Sequence, residues 1–211
     1  MLHPKTALKF IGPEVGYGVF AIDFIPQGSI TYIKDSLEIE ISPAEYTAHP
    51  IEMQGIIEKY SYIDERGYRI VSWDFAKYIN HCCNCNSMST GYGFEIALRD
   101  IHPGEEITDE YGIFNLTEPM ELICEKGNCR KLLQPEDFEV LYPFWDEKLK
   151  KALANFRQVE QPLLKFMDAH TRSLLYAYFE DPSQYRSVYM LKYQQQNNGM
   201  LINSAGIEGK K

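Results

Sequence analysis

The chain has 211 residues, 45% hydrophobic and 24% charged, with a formal net charge of −9. That length holds one substantial domain and a small second one, and the acidic balance argues against generic binding to nucleic-acid phosphate. An acidic surface suits basic partners instead, lysine-rich peptides among them. No apolar run is long enough to span a membrane, and "MLHPKTALKF" has no extended apolar core, so an intracellular protein without a signal peptide is expected. Its five cysteines are then expected as thiols or metal ligands rather than disulfides. Aromatics reach 13%, with 15 tyrosines, which suits a packed aromatic core and is compatible with an aromatic-lined pocket.

The first third reads as short strands and turns. "ALKFIG" runs into the glycine-rich turn "PEVGYG"; "VFAIDFI" and "SITYI" flank "PQG" as paired strands. In "LEIEI", Leu37, Ile39 and Ile41 alternate with glutamates, the pattern of a half-buried strand. Ser42, Pro43 and Glu45 form a helix start with a capping box, and His49-Pro50 interrupts that helix. "SYIDERGYRIVSW" predicts a hairpin turning near Arg66-Gly67. "FEIALRDI" predicts another strand, ended by His102-Pro103-Gly104. After about residue 135 the spacing turns helical in "PEDFEVLYPFWDEKLKKALANF" and "EQPLLKFMDAHTRSLLYAYFED". In the second, Leu163, Leu164, Met167, Leu174, Leu175 and Tyr178 can share one face. "PSQYRSVYMLKY" predicts a third helix, and the polar end a disordered tail.

Three stretches carry the chemistry. Gly16-Tyr17-Gly18 alone is weak evidence, since roughly one such triplet is expected by chance and Gly91-Tyr92-Gly93 is a second. "YINHCCNCN", Tyr78 to Asn86, packs three of the five cysteines beside an Asn-His pair. "GEEITDEYG" spans Gly104 to Gly112. Taken singly, the last two are a loop and a strand end. In this order, with "EIALRDI" leading into the last, they resemble the SET-domain family of protein-lysine methyltransferases. Asn80-His81 matches the family's Asn-His-Ser-Cys-x-Pro-Asn motif, with Cys83 and Asn86 in register; Cys82 stands at the usual serine and Cys85 at the usual proline. "GEEITDEYG" matches Gly-Glu-Glu-Leu-Thr-x-Asp-Tyr-Gly with Glu110 for the aspartate, and "GYGVFA" matches the early glycine motif.

The resemblance covers about residues 5 to 130. It implies a mainly β SET fold, short strands in small sheets with a knot-like C-terminal motif, followed here by an α-helical extension. It implies S-adenosylmethionine on one face and the lysine entering from the other through a narrow channel. Gly16, Tyr17, Gly18, Asn80 and His81 would hold the cofactor, the glycines because side chains would intrude there. Tyr111 would be the catalytic tyrosine, beside the cofactor. Free lysine, with a pKa of ~10.4, is almost wholly charged at neutral pH. An apolar channel and a neighbouring sulfonium both favour the neutral amine, and a tyrosine hydroxyl can orient it. Tyr78 and Asp109 would border the channel. Asp109 occupies a position, two before the tyrosine, where the family often has an aromatic, so the methylation number stays open.

"LICEKGNCRK" resembles the post-SET segment, Cys-x-Cys-x4-Cys, whose cysteines join the Asn-His motif's cysteine on zinc. Leu122 replaces the first of them. Cys83, Cys85, Cys124 and Cys129 are the expected structural zinc ligands, Cys82 standing in for Cys85; four thiolates make a common tetrahedral set. Free thiols around a metal-free loop are the alternative. The resulting organisation is a SET domain over 1–116, a zinc segment over 117–134, a helical region over 135–195 and a tail over 196–211. A lysine-containing protein or peptide, histone tails included, is the expected substrate, with no direct nucleic-acid binding and no membrane contact. The amphipathic C-terminal helices could pack on the fold or form a homodimer contact. The rival reading is a catalytically silent SET-fold binding module.

Overall fold

The structure, a computed structural model, describes residues 1–123 and 129–194. The expected tail over 196–211 and Cys124 lie outside the described residues. The chain opens with an antiparallel hairpin of β1 (Thr6–Gly12) and β2 (Gly16–Ala21). Its turn lies before Gly16, whose φ of +83° suits glycine. The Gly-Tyr-Gly motif therefore begins a strand instead of closing the turn, as the glycines alone had suggested. β3 (Ile30–Ile33) is wholly buried. β4 (Ile39–Ile41) forms, but Ile39 is exposed and the strand is an edge rather than half-buried.

Ser42 caps α1 (Pro43–Ala48) with the reciprocal Ser42–Glu45 capping box. His49-Pro50 ends it, and α2 (Ile51–Tyr60) starts afresh. The predicted hairpin follows as β5 (Ser61–Ile63) and β6 (Arg69–Val71), with Gly67 at φ +81° in its turn. Then come β7 (Asn80–His81), β8 (Ser87–Ser89), β9 (Phe94–Ala97), β10 (Glu106–Asp109), β11 (Met120–Glu121) and β12 (Leu132–Leu133). The sheets are small, with orders β1-β2-β10-β7, β3-β9-β8, β4-β6-β5 and β11-β12.

Two helices complete the described chain. α3 (Asp137–Leu153) fills most of the stretch predicted as helical, Pro135 to Phe156. α4 (Ala169–Glu180) is shorter than its periodicity suggested. Asp168 is extended and accepts from Thr171 N at 2.9 Å, so the helix starts at its cap, after a separate 3-10 turn at Leu164–Phe166. The expected third helix is two 3-10 turns, Pro182–Gln184 and Val188–Leu191, each started by its own side-chain cap from Asp181 or Ser187.

The strand period of two divides β9 between two cores. Phe94 and Ile96 face a cluster with Trp145, Leu149, Leu153, Phe156 and Leu175, so α3 and α4 cover that side. Ala97 belongs to a second cluster with Val19, Ala21, Tyr32 and Ile107, toward the four-stranded sheet. The helices thus share their core with the β3-β9-β8 sheet. Glu95, between Phe94 and Ile96, is turned away from them.

Candidate active site

β7 and β10 pair in parallel, Asn80 opposite Thr108 and His81 opposite Asp109. This pairing brings the Asn-His motif onto the strand that leads to Tyr111. Asn86 fixes the register from the loop: its Oδ1 accepts from Thr108 N at 2.9 Å and its Nδ2 donates to the Glu106 carbonyl at 2.8 Å. Asn80 Nδ2 donates to the Tyr17 carbonyl at 3.0 Å and to Glu106 Oε1 at 2.8 Å, tying the Gly-Tyr-Gly strand to the motif. A Cβ on Gly18 would lie 2.6 Å from Ile11 Cδ1 and 2.7 Å from Glu106 Oε1, so a side chain here would have to displace the ends of both. Of the residues expected to hold a cofactor, Tyr17 and Gly18 are thus joined to Asn80, and His81 to Tyr111; Gly16 sits at the start of β2, beside the turn.

Tyr111 follows β10 in a short 3-10 turn, Tyr111–Ile113, which Glu110 caps by accepting from Gly112 N at 2.9 Å. The Tyr111 hydroxyl donates to the Ile79 carbonyl at 2.5 Å, and Tyr111 N donates to His81 Nδ1 at 3.1 Å. Accepting at Nδ1, His81 carries its proton on Nε2, directed at Cys83 Sγ at 3.3 Å. Burial, aided by the Arg130 charge, lowers the His81 pKa to about 4 and keeps the ring neutral. Burial also raises the Tyr111 pKa, reinforced by the Asp109, Glu95 and Glu106 carboxyls. A phenol so raised, already donating its proton, orients a nucleophile rather than acting as a base.

A cavity of about 560 Å³ opens beside Tyr111, lined also by Tyr32, Tyr60, Tyr62, Phe114 and Asp109. Asp109, expected at the channel, lines this cavity. Tyr78 does not line it; its ring stands edge-on between Tyr17 and Tyr60, 5.7 Å from each, linking the glycine strand to the cavity mouth. Sequence reasoning missed Glu95, which lines the same cavity opposite Phe94 and Ile96. The alternation of "FEIA" held the signal: a glutamate inside an apolar strand. It also missed Arg130, which donates to Glu110 Oε1 at 2.5 Å and to Asp137 Oδ2 at 3.1 Å, joining the tyrosine turn to α3.

The cysteines divide into two groups. Cys83 and Cys129 sulfurs lie 4.0 Å apart, and each accepts a backbone N–H at 3.3 Å, from Arg130 and Lys131. Two thiolates on one tetrahedral zinc would sit about 3.8 Å apart. Cys82 and Cys85 are instead buried in the core shared with α3. Burial, with the Asp109 and Glu110 carboxyls near, pushes the Cys85 thiol well up, against the thiolate a metal requires. Cys85 and Cys82 thus lie with the core, while Cys83 and Cys129 lie with each other. Cys124 lies outside the described residues, and among those described no group of three Cys, His, Asp or Glu side chains could hold a metal. Among the described residues, Cys83 and Cys129 are the two whose spacing fits a shared zinc.

Residues 16–112, from the first motif glycine to the glycine after Tyr111, match the SET domain family model. The chain carries a SET domain. The motifs lie within this match, and the small sheets followed by helices agree with a SET fold with a helical C-terminal region. No curated protein matches the chain. Among solved structures, a Plasmodium falciparum protein provisionally named a histone methyltransferase is 18% identical, covering 52% of this chain and 95% of that one at a TM-score of 0.37. Among the described residues no helix is long and apolar enough to cross a membrane.

Proposed function

We propose that the protein is an S-adenosylmethionine-dependent protein-lysine N-methyltransferase acting inside the cell, with Tyr111 as its catalytic residue. The observation that carries this reading is the junction at Tyr111. Its hydroxyl is fixed on the Ile79 carbonyl at the wall of an aromatic cavity, and its backbone is fixed on His81 of the cofactor motif.

The chain's own groups suit each task. Around Gly18 and Asn80, Glu106 and the Tyr17 carbonyl offer acceptors for an ammonium, and the half-exposed Tyr17 ring offers an apolar face. Bound there, S-adenosylmethionine supplies an electrophilic methyl group. In the cavity, Tyr60, Tyr62 and Phe114 exclude water and disfavour a charged amine. The Tyr111 oxygen, its own proton committed, retains lone pairs that accept from an amine N–H and so aim the nitrogen. Alignment of this kind supplies much of the rate. A lysine on a basic protein, histone tails included, is the proposed substrate, in keeping with the charge of −9.

We assign residues 1–116 to the SET domain, 117–134 to a post-SET-like segment and 135–195 to a helical region. Zinc has narrower support, the Cys83–Cys129 pair alone; zinc content per chain, in wild type and Cys129→Ser, tests it.

The deciding experiment is methyl transfer from labelled S-adenosylmethionine to mixed core histones and other basic proteins. Label on lysine is expected, and Tyr111→Phe should lower it by about 10²-fold, the scale of one positioned catalytic group. Cofactor binding without transfer to any of them would favour a silent binding module.

A further inference from the structure

The cavity beside Tyr111 holds a pair of buried acids. Asp109 is 1% exposed and Glu95 is 7% exposed, and both line the cavity wall. Each carboxyl acts on the ionisation of the other. Asp109 Oδ1 accepts from Glu110 N at 2.7 Å, while Oδ2 has no donor. Glu95 Oε2 accepts from Ser87 Oγ at 3.2 Å, and Ser87 is hydrogen-bonded in turn to Thr31 at 2.5 Å. Two ionised carboxylates buried side by side are costly in a low dielectric. A single proton shared by the two would satisfy the orphan Oδ2 and leave one negative charge on the pair.

We propose that Glu95 and Asp109, acting as one acid pair, take the proton from the substrate ammonium in this cavity. This rests on the lysine-methyltransferase reading above. That reading leaves a gap: the amine must be neutral to attack, and Tyr111, a donor held by Ile79, is no base. The pair fills the gap. The ammonium N–H bond breaks, its electrons stay on nitrogen as the lone pair, and the proton goes to a carboxylate oxygen. The pair passes from one proton and one negative charge to two protons and none. Its position also gives the proton a way out. Glu95 lines a second cavity of about 350 Å³ as well, on the far side of Tyr32 and Tyr62. A proton collected on the substrate side can leave on the other.

Electrostatics agrees with the geometry. Burial raises both carboxyls above the ordinary carboxylate range; the Glu95 charge adds to this at Asp109, while the Asp109 and Ser87 side chains pull Glu95 the other way. The groups bearing on the pair are Glu110, Asp74, the phenols of Tyr62 and Tyr111, the Cys85 thiol and the Met1 amino group. The cation among them, the Met1 amino group, is paired with Asp35 at 3.1 Å.

The test uses the full chain, labelled S-adenosylmethionine and mixed core histones. Asp109→Asn and Glu95→Gln keep the shape and remove the shared charge. Each should cut transfer at pH 7 by about 10²-fold. The gap should narrow to a few-fold near pH 10, where free lysine approaches its own pKa of ~10.4 and needs no base. A loss that stays constant with pH, or no loss, overturns the proposal. A second measurement does not depend on turnover or on the variants folding: the infrared carbonyl band of a protonated carboxyl should be present in the wild type at pH 7. Transfer by a wild type lacking that band overturns the pair alone. A band without transfer overturns the reading of the reaction, and this use of the pair with it.

Discussion

Around Tyr111 the chain answers most of its polar groups itself, whereas on the β1–β2 hairpin it leaves Phe10 62%, Tyr17 47% and Ile11 41% exposed. The two regions meet at Asn80, yet they are finished differently. On the floor, Asn86, His81, Glu110 and Arg130 each complete a hydrogen bond that fixes β10 or the turn after it. On the rim, apolar rings face solvent beside Gly18, where a side chain would displace the ends of Ile11 and Glu106. The floor is preorganised in the free protein, and the rim is a surface that a ligand would complete. Substitutions on the floor should therefore cost stability, while those on the rim should cost binding.

The largest loss is expected at Trp145, which carries the helical region onto the floor. It is 2% exposed, packs edge-on against Phe138 at 5.9 Å, and comes within 3.1 Å of where a Gly112 Cβ would stand. Trp145→Ala should lower unfolding free energy by about 3–5 kcal/mol, the scale for a large buried aromatic. Denaturant unfolding checks this. A loss below about 1 kcal/mol would mean that α3 does not support the site.

Next is Arg130, only 23% exposed at its side chain and the partner of a Glu110 side chain that is 3% exposed. Arg130→Met strands that carboxylate and should cost about 3 kcal/mol at pH 8. Burial already raises the Glu110 pKa, against the opposing pull of Arg130. A carboxyl raised by folding is favoured when protonated and loses that stability as pH rises through its folded pKa. Without Arg130 the pKa rises further, so the variant's deficit should shrink as pH falls toward 5. Unfolding at pH 5 and pH 8 gives the sign directly; an equal deficit at both would break the argument for a stranded charge.

Much of the site was legible in the sequence because its parts are contiguous. "YINHCCNCN" and "GEEITDEYG" each place several functional residues on one short segment, and their parallel pairing only sets them side by side. The capping box at Ser42 and the turn at Gly67 were legible for the same local reason. What stayed hidden depends on segments far apart in the chain. Glu95 joins Asp109 only when β9 and β10 lie in neighbouring sheets, and Arg130 reaches Glu110 across 20 residues. The different surroundings of Cys85, in the core, and Cys83, beside Cys129, were also not legible from their spacing. The apolar period over 163–178 likewise concealed a break, because Asp168 begins a helix from its side chain and periodicity does not register caps.

The smallest effect on stability separates rim from floor most cleanly. Phe10 packs against the motif residue Tyr17 with ring centroids 5.4 Å apart. Being mostly exposed, it contributes little to the fold, and Phe10→Ala should shift unfolding free energy by no more than about 0.5 kcal/mol. On the proposed cofactor placement, however, it borders the bound ligand. Losing about 1 kcal/mol of apolar contact would weaken S-adenosylmethionine roughly fivefold in Kd. Phe144 on α3, 58% exposed, is the matched control: its alanine variant should alter neither quantity. Calorimetric titration of both variants makes the comparison. Equal cofactor affinity in the two would detach the exposed hairpin from the binding site and leave its apolar surface to some other partner, whereas a loss confined to Phe10→Ala would mark the rim as the part of the site that the cofactor finishes.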